Sequence, residues 1–276
     1  MPNTRILKLR RPAAVPTLRL PCLRETATAI LRVLSVGTAA SHDIARIIVL
    51  DPVLVFELLL TEPLADNEPA SLPEAIARRV EGIDSGLLQA WALRHIIQQP
   101  QSRIGLRTHH HHALHSQFVA ELAVHLAHET GYAMPDQAYA AGLLHDIGLL
   151  WLAEYTEDYP SLLATIPDER SLTIAEWDRY AQDHADLSSD LASRCGMSAG
   201  IADAIALQHA DPEALGTAHP LVRIIAAAEE LASSRGNQSV ASLEIASRLT
   251  QLDSAILVSL LADTTRSVQD KARTLG

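Results

Sequence analysis

Six residues, His115, His145, Asp146, His184, His209 and Glu229, carry side chains that could do metal chemistry, and they are threaded through sequence that otherwise reads as helix. Neutral imidazole and carboxylate are the groups that hard and borderline divalent cations take as ligands. His145 and Asp146 follow directly on the apolar stretch Tyr139-Ala-Ala-Gly-Leu-Leu. Neighbouring residues on a regular helix diverge by about 100°, so both can face one ion only at a helix end or kink, which Gly148 offers. Two readings of the pair stay open at this point. It is either a pair of metal ligands or a buried hydrogen-bonded pair that ties two helices together without metal.

The other histidines carry less. His109–His112 form a run of four without a defined ligand spacing and read as a solvated connector, and His125 and His128 read as surface residues of one helix. Asp183 and Asp186 flank His184 and read as charges at a helix start. The sequence shows no Gly-rich phosphate loop, no Gly-x-Ser-x-Gly elbow and no Cys/His zinc pattern.

The elements that must position these groups are helical. Hydrophobic residues make up 48% of the 276 and aromatics only 4%, so the core is built from Ala, Leu, Ile and Val, and the fold class is all-α. Apolar residues at helical spacing (Leu23, Ala27, Ile30, Leu31, Leu34) end near Gly37. Ser41 reads as an N-cap, and Asp51 caps the next helix with Pro52 at its first position. Further helices start at Leu72-Pro73 and at Asp84-Ser85. The polar stretch 97–108 reads as a linker. Beyond it, helices are expected from about His115 to Thr130, from Pro135 to Gly148, from about His184 to Cys195, over Ala199–Gln208 and over Leu221–Ser233, with two or three more up to Leu275. Thr173-Ile-Ala-Glu176 matches a capping box.

Charge and composition exclude some function classes. The net charge is −11, from 33 acidic and 22 basic residues, which disfavours non-specific nucleic-acid or anionic-membrane binding. The basic stretch Arg5, Lys8, Arg10 and Arg11, followed by Arg19 and Arg24, reads as a solvated tail. Cys22 and Cys195 are isolated thiols, there is no secretory leader pattern, and the most apolar window, 47–60, is broken by Asp51, Pro52 and Glu57. A cytoplasmic protein without a transmembrane helix is expected.

The string Ala141-Gly142-Leu143-Leu144-His145-Asp146-Ile147-Gly148, in register with Leu20-Pro21, Asp51-Pro52, Leu114-His115-Ser116, His184 and His209, resembles the HDOD domain, the HD-related output domain of bacterial signalling proteins. That domain is an offshoot of the HD superfamily of metal-dependent phosphohydrolases, and the resemblance runs from about Leu20 to Ala232. It implies a two-lobed helical fold: a tail over 1–18, an N-terminal helical subdomain over 19–107, an HD-like subdomain over 108–235 and a C-terminal helical extension over 236–276. It also implies iron, manganese or zinc held by His115, His145, Asp146, His184, His209 and Glu229, with Asp146 as the catalytic residue if the protein is active.

Three departures from the family pattern count against efficient phosphoryl chemistry. Gln208 stands where a His-His pair has its first member, Glu229 where the last aspartate ligand stands, and Leu149 where many relatives have lysine. The resemblance therefore implies a regulatory module that acts by binding a protein partner in a signalling pathway, with homodimerisation open and with neither nucleic acid nor membrane as partner. The alternative is a phosphohydrolase or phosphodiesterase acting on a nucleotide or cyclic dinucleotide.

Overall fold

The structure, a computed structural model, describes residues 20, 22–37, 40–65, 71–98, 106–166, 168–234 and 239–275. The basic residues expected in the tail, apart from Arg24, lie outside the described residues, as does most of the linker. All regular structure among the described residues is helical, as the composition implies, in fifteen helices.

The first five are α1 (Arg24–Ser35), α2 (Ser41–Ile48), α3 (Pro52–Thr61), α4 (Leu72–Glu81) and α5 (Ser85–Gln98). Asp51 caps α3 as expected, accepting from the amides of Val53 at 3.0 Å and Leu54 at 3.3 Å. The same carboxylate accepts from the Leu23 amide at 2.6 Å and so pins the start of α1 to α3. Apolar except for Glu57 and the terminal Thr61, α3 is buried, whereas α2 and α4 pack on each other and α1 packs on α5. Ser41 is not a cap: Ala40 holds that position, without a side-chain bond.

A long helix, α6 (Leu106–Glu129), forms the spine of the remainder. Its neighbours are α7 (Pro135–Leu144), α13 (Pro220–Ser233) and α15 (Ser254–Leu275). Between them run α8 (Ile147–Tyr155), α9 (Tyr159–Thr165), α10 (Glu169–Tyr180), α11 (His184–Arg194) and α12 (Ala199–Ala206), while α14 (Val240–Thr250) lies on α13. At Gly142 an added Cβ would stand 2.7 Å from Ala120 Cα, so α6 and α7 meet backbone to backbone. Buried apolar residues of α1–α5 and of the later helices form one continuous core.

Three further expectations fail here. The His109–His112 run is not a loop but the second turn of α6, which begins nine residues before His115. Histidine is a middling helix former, and the run contains no Gly or Pro to break it. Thr173 and Glu176 form no capping box, because both lie inside α10; its N-cap is Asp168, which accepts from the Ser171 amide at 2.9 Å. The helix expected over Pro135–Gly148 is two helices, broken at His145-Asp146 rather than at Gly148. No single helix among the described residues is long and apolar enough to cross a membrane, and α14 with α15 passes that test only as a pair bent by 103°.

Candidate metal centre

The break between α7 and α8 is what makes the His-Asp pair usable. Asp146 takes φ −107° and ψ 12°, which turns its carboxylate to the same side as the His145 ring, and Nε2 of His145 lies 3.4 Å from Asp146 Oδ2. The Gly142 carbonyl accepts from His145 Nδ1 at 2.7 Å, so Nδ1 keeps the proton and Nε2 faces the cluster. Gln208 donates from Nε2 to the His145 carbonyl at 3.2 Å and holds the same turn from the other side.

All six residues singled out in the sequence converge. Glu229 Oε2, from α13, stands 2.9 Å from His115 Nε2 and 3.1 Å from His145 Nε2. On the other flank of Asp146, His184 Nε2 is 3.8 Å from Oδ1 and 3.0 Å from His209 Nε2. Asp146 thus belongs to two groups of potential ligands, one with His115 and His145 and one with His184 and His209.

Four further participants are not among those six. Glu176, fully buried, accepts from His184 Nδ1 at 2.8 Å and from the His184 amide at 2.9 Å, fixing the tautomer that turns Nε2 inward. Tyr159 donates its hydroxyl to the same carboxylate. Glu169, at the start of α10, forms a third group with His115 and Glu229. His112, three residues before His115 and so on the same face of α6, places Nδ1 3.8 Å from Asp146 Oδ2. That i, i+3 spacing is a signal the sequence does carry; the Glu176 pairing, made across a turn between helices, leaves none.

The electrostatics are those of a crowded anionic nest. Among the described residues, every ion pair made by Asp146, Glu169, Glu176 and Glu229 is to an imidazole. Burial works to raise the Asp146 and Glu229 carboxyls, but His145 beside the first and His115 beside the second hold both well below their usual range. Burial disfavours the charged ring of His145, yet Asp146 and Glu229 outweigh it and raise its pKa. Glu169 is pushed well above the carboxylate range by burial and by the Glu229 charge, and His209 is lowered to about 3 by burial and by His184.

These residues fit a divalent cation. Both oxygens of Asp146 and Nε2 of His145 are buried without a hydrogen-bond partner, the contacts of His145 to Glu229 and Asp146 being off-line. Leaving a buried carboxylate without a hydrogen bond is costly. Two donors each about 2.1 Å from one ion stand roughly 3.0 to 3.4 Å apart at octahedral or tetrahedral angles, close to the 2.9, 3.0, 3.1 and 3.4 Å separations here. A cavity of about 650 Å³ opens onto the cluster, lined by His112, His115, Glu169, His209 and Glu229 and by Arg170.

A helical break presenting a shared aspartate to histidines on three further segments defines an HD-type helical core. Residues 83–211 match the HDOD domain family. That stretch of the chain carries an HDOD domain. Among solved structures it is similar to the MmoQ response regulator from Methylococcus capsulatus str. Bath, with TM-score 0.66 and 23% identity over 88% of this chain and 98% of that one. It is similar also to a virulence factor from Campylobacter jejuni subsp. jejuni, with TM-score 0.62 and 16% identity over 90% and 96%. A third is an HDOD domain protein from Geobacter sulfurreducens, with TM-score 0.50 and 23% identity over 93% of each chain. No curated protein matches the chain.

Proposed function

We propose that this protein is a cytoplasmic signalling or regulatory module that holds a divalent metal ion in its helical core and acts by binding a partner protein. The observation that carries the metal is the buried carboxylate of Asp146, which has imidazoles on both flanks but no hydrogen-bond partner. His115, His145, Asp146 and Glu229 would hold one ion, and Asp146, His184 and His209 could hold a second. Iron, manganese and zinc all suit such a donor set. When bound, such an ion supplies Lewis acidity toward a phosphoryl group.

This chain's own residues argue against efficient hydrolysis. Glu229 and Glu169 bring two carboxylates to the His115 side, filling positions that a catalytic site keeps open. Gln208 spends its amide on a backbone carbonyl. Leu149 is buried in α8 and does not line the cavity. An apolar cleft of about 670 Å³ between α1, α2, α6 and α7 supports the partner-binding side, since it offers Val33, Ile47, Leu50 and Val124 to a protein surface.

One observation favours the alternative of a phosphohydrolase or phosphodiesterase: the cavity over the cluster is large enough for a nucleotide fragment and has Arg170 at its wall. Elemental analysis of untagged protein, before and after reconstitution with manganese, iron or zinc, tests the metal. Bound ion is expected, lost in His145→Ala and kept in His110→Ala, because His110 is exposed and outside the cluster. The partner-binding reading expects no turnover of nucleotides, cyclic dinucleotides or a nitrophenyl phosphodiester. Turnover that disappears in the His145→Ala, Asp146→Ala double variant would put the enzyme first.

A further inference from the structure

A second cleft, of about 410 Å³, opens between α8, α10 and α11 and shares no lining residue with the cavity over the His/Asp cluster. In a chain that is only 4% aromatic, two of the three tryptophans line this one cleft. Trp151 and Tyr155, one turn apart on α8, have ring centroids 4.6 Å apart. Trp177 and Tyr180 face them from α10. Trp177 is 51% exposed and Tyr155 39%, an unusual placement for large rings whose burial would be favourable.

The Trp177 ring is nevertheless fixed, because its indole N–H donates to Asp183 Oδ2 at 2.9 Å. The remaining wall is acidic. Asp186 and Asp190, one turn apart on α11, line the cleft, and no lysine or arginine does among the described residues. Neither carboxylate makes an ion pair with a cation among those residues; Asp190 accepts only a long 3.4 Å bond from Gln182.

Aromatic faces carry negative quadrupole charge and attract cations that shed water easily, quaternary ammonium groups above all. Carboxylates at the rim add long-range attraction and exclude anions. We propose that this cleft binds a trimethylammonium group, caged by Trp151, Tyr155, Trp177 and Tyr180 and neutralised by Asp186 and Asp190. The group is carried either by a free small molecule of the choline type or by a trimethylated lysine of a peptide. The two sources share the headgroup chemistry and differ in the chain that the headgroup terminates.

Tryptophan fluorescence of the intact protein reads the binding. It is titrated with choline, with a short peptide bearing one trimethyllysine, and with 3,3-dimethylbutanol, which keeps the shape of choline without its charge. Saturable binding of a cation is expected, with the tighter of the two arms identifying the source and the neutral isostere at least about three- to tenfold weaker. Tyr155→Ala and Asp186→Asn should each weaken the cation severalfold and leave the isostere unchanged in the second case. Both residues are at least partly exposed, so folding should survive, and the melting temperature checks that it does. Equal binding of cation and isostere to the unmodified protein, or no saturable response to either cation, overturns the proposal.

Discussion

Gly148→Ala is the most exacting test of how the His/Asp cluster is held together. An added Cβ at this position would stand 2.3 Å from the His184 carbonyl oxygen, 2.7 Å from the Ser188 amide nitrogen and 2.8 Å from Ser188 Oγ. Ordinary contact starts near 3.4 Å, so the first turn of α11 must retreat by roughly 1 Å, and the nearest partners facing the new methyl are backbone atoms that cannot rotate away. Overpacking of this kind costs about 1 to 3 kcal/mol. At about 2 to 4 °C per kcal/mol for chains of this size, the melting temperature should fall by roughly 2 to 12 °C. The same retreat carries His184 away from Asp146, already 3.8 Å distant, so ion retention should fall as well. Calorimetry and elemental analysis of the variant read the two effects. The control is Gly200→Ala, where an added Cβ meets nothing within 4 Å and removal of a helical glycine should be neutral or stabilising by about 0.5 to 1 kcal/mol. A Gly148→Ala protein that melts within a degree of the parent would refute the tight α8–α11 packing on which the cluster geometry depends.

Replacing Glu176 by Gln should leave the helices in place but loosen the His184 ring, and losses of such outer partners weaken metal binding about 10- to 100-fold; competition against a chelator measures it, and unchanged affinity would mean that His184 is not a ligand. Far from the cluster, burial works to raise the Glu57 carboxyl, but His95 and Arg94 outweigh it and hold it below its usual range. A carboxyl with a depressed folded-state pKa stabilises above its unfolded value and loses that contribution as pH falls. The stability gap between the parent and Glu57→Gln, from urea unfolding, should therefore narrow between about pH 6 and about pH 3; a gap that stays constant would contradict the ion-paired assignment.

Much of this architecture can be read from residue types alone, for identifiable reasons. Asp51-Pro52 and Asp84-Ser85 announce helix starts because capping acts within a few residues. The six ligand candidates are visible because their chemistry is rare in apolar helices. What stays hidden is what arises between segments. Glu176 resembles half of a capping box, since an S/T-x-x-E string inside a helix is identical in sequence to one at its start, and only the packing of α10 on α11 shows that the carboxylate serves His184. His112 is hidden by its own neighbours, because four adjacent histidines suggest a solvated stretch, and the helical phase that turns His112 inward with His115 is set by tertiary packing. The break at His145-Asp146 is expected two residues late, at the nearest glycine. That glycine is needed for close approach to α11 rather than for the bend.

Helix α10 has a consequence of its own, because consecutive residues on it serve opposite sides of the wall. Glu176 points inward to His184, and Trp177, about 100° further round, covers the outer cleft and is tied through its indole to the residue just before His184. Any twist of α10 that settles the tryptophan on a ligand also alters how the glutamate grips the imidazole. Such a connection works in both directions with one and the same factor: if occupying the outer cleft tightens the hold on an ion, loading the ion must tighten the cleft equally. On the proposed reading, the outer surface would in this way report what the interior holds.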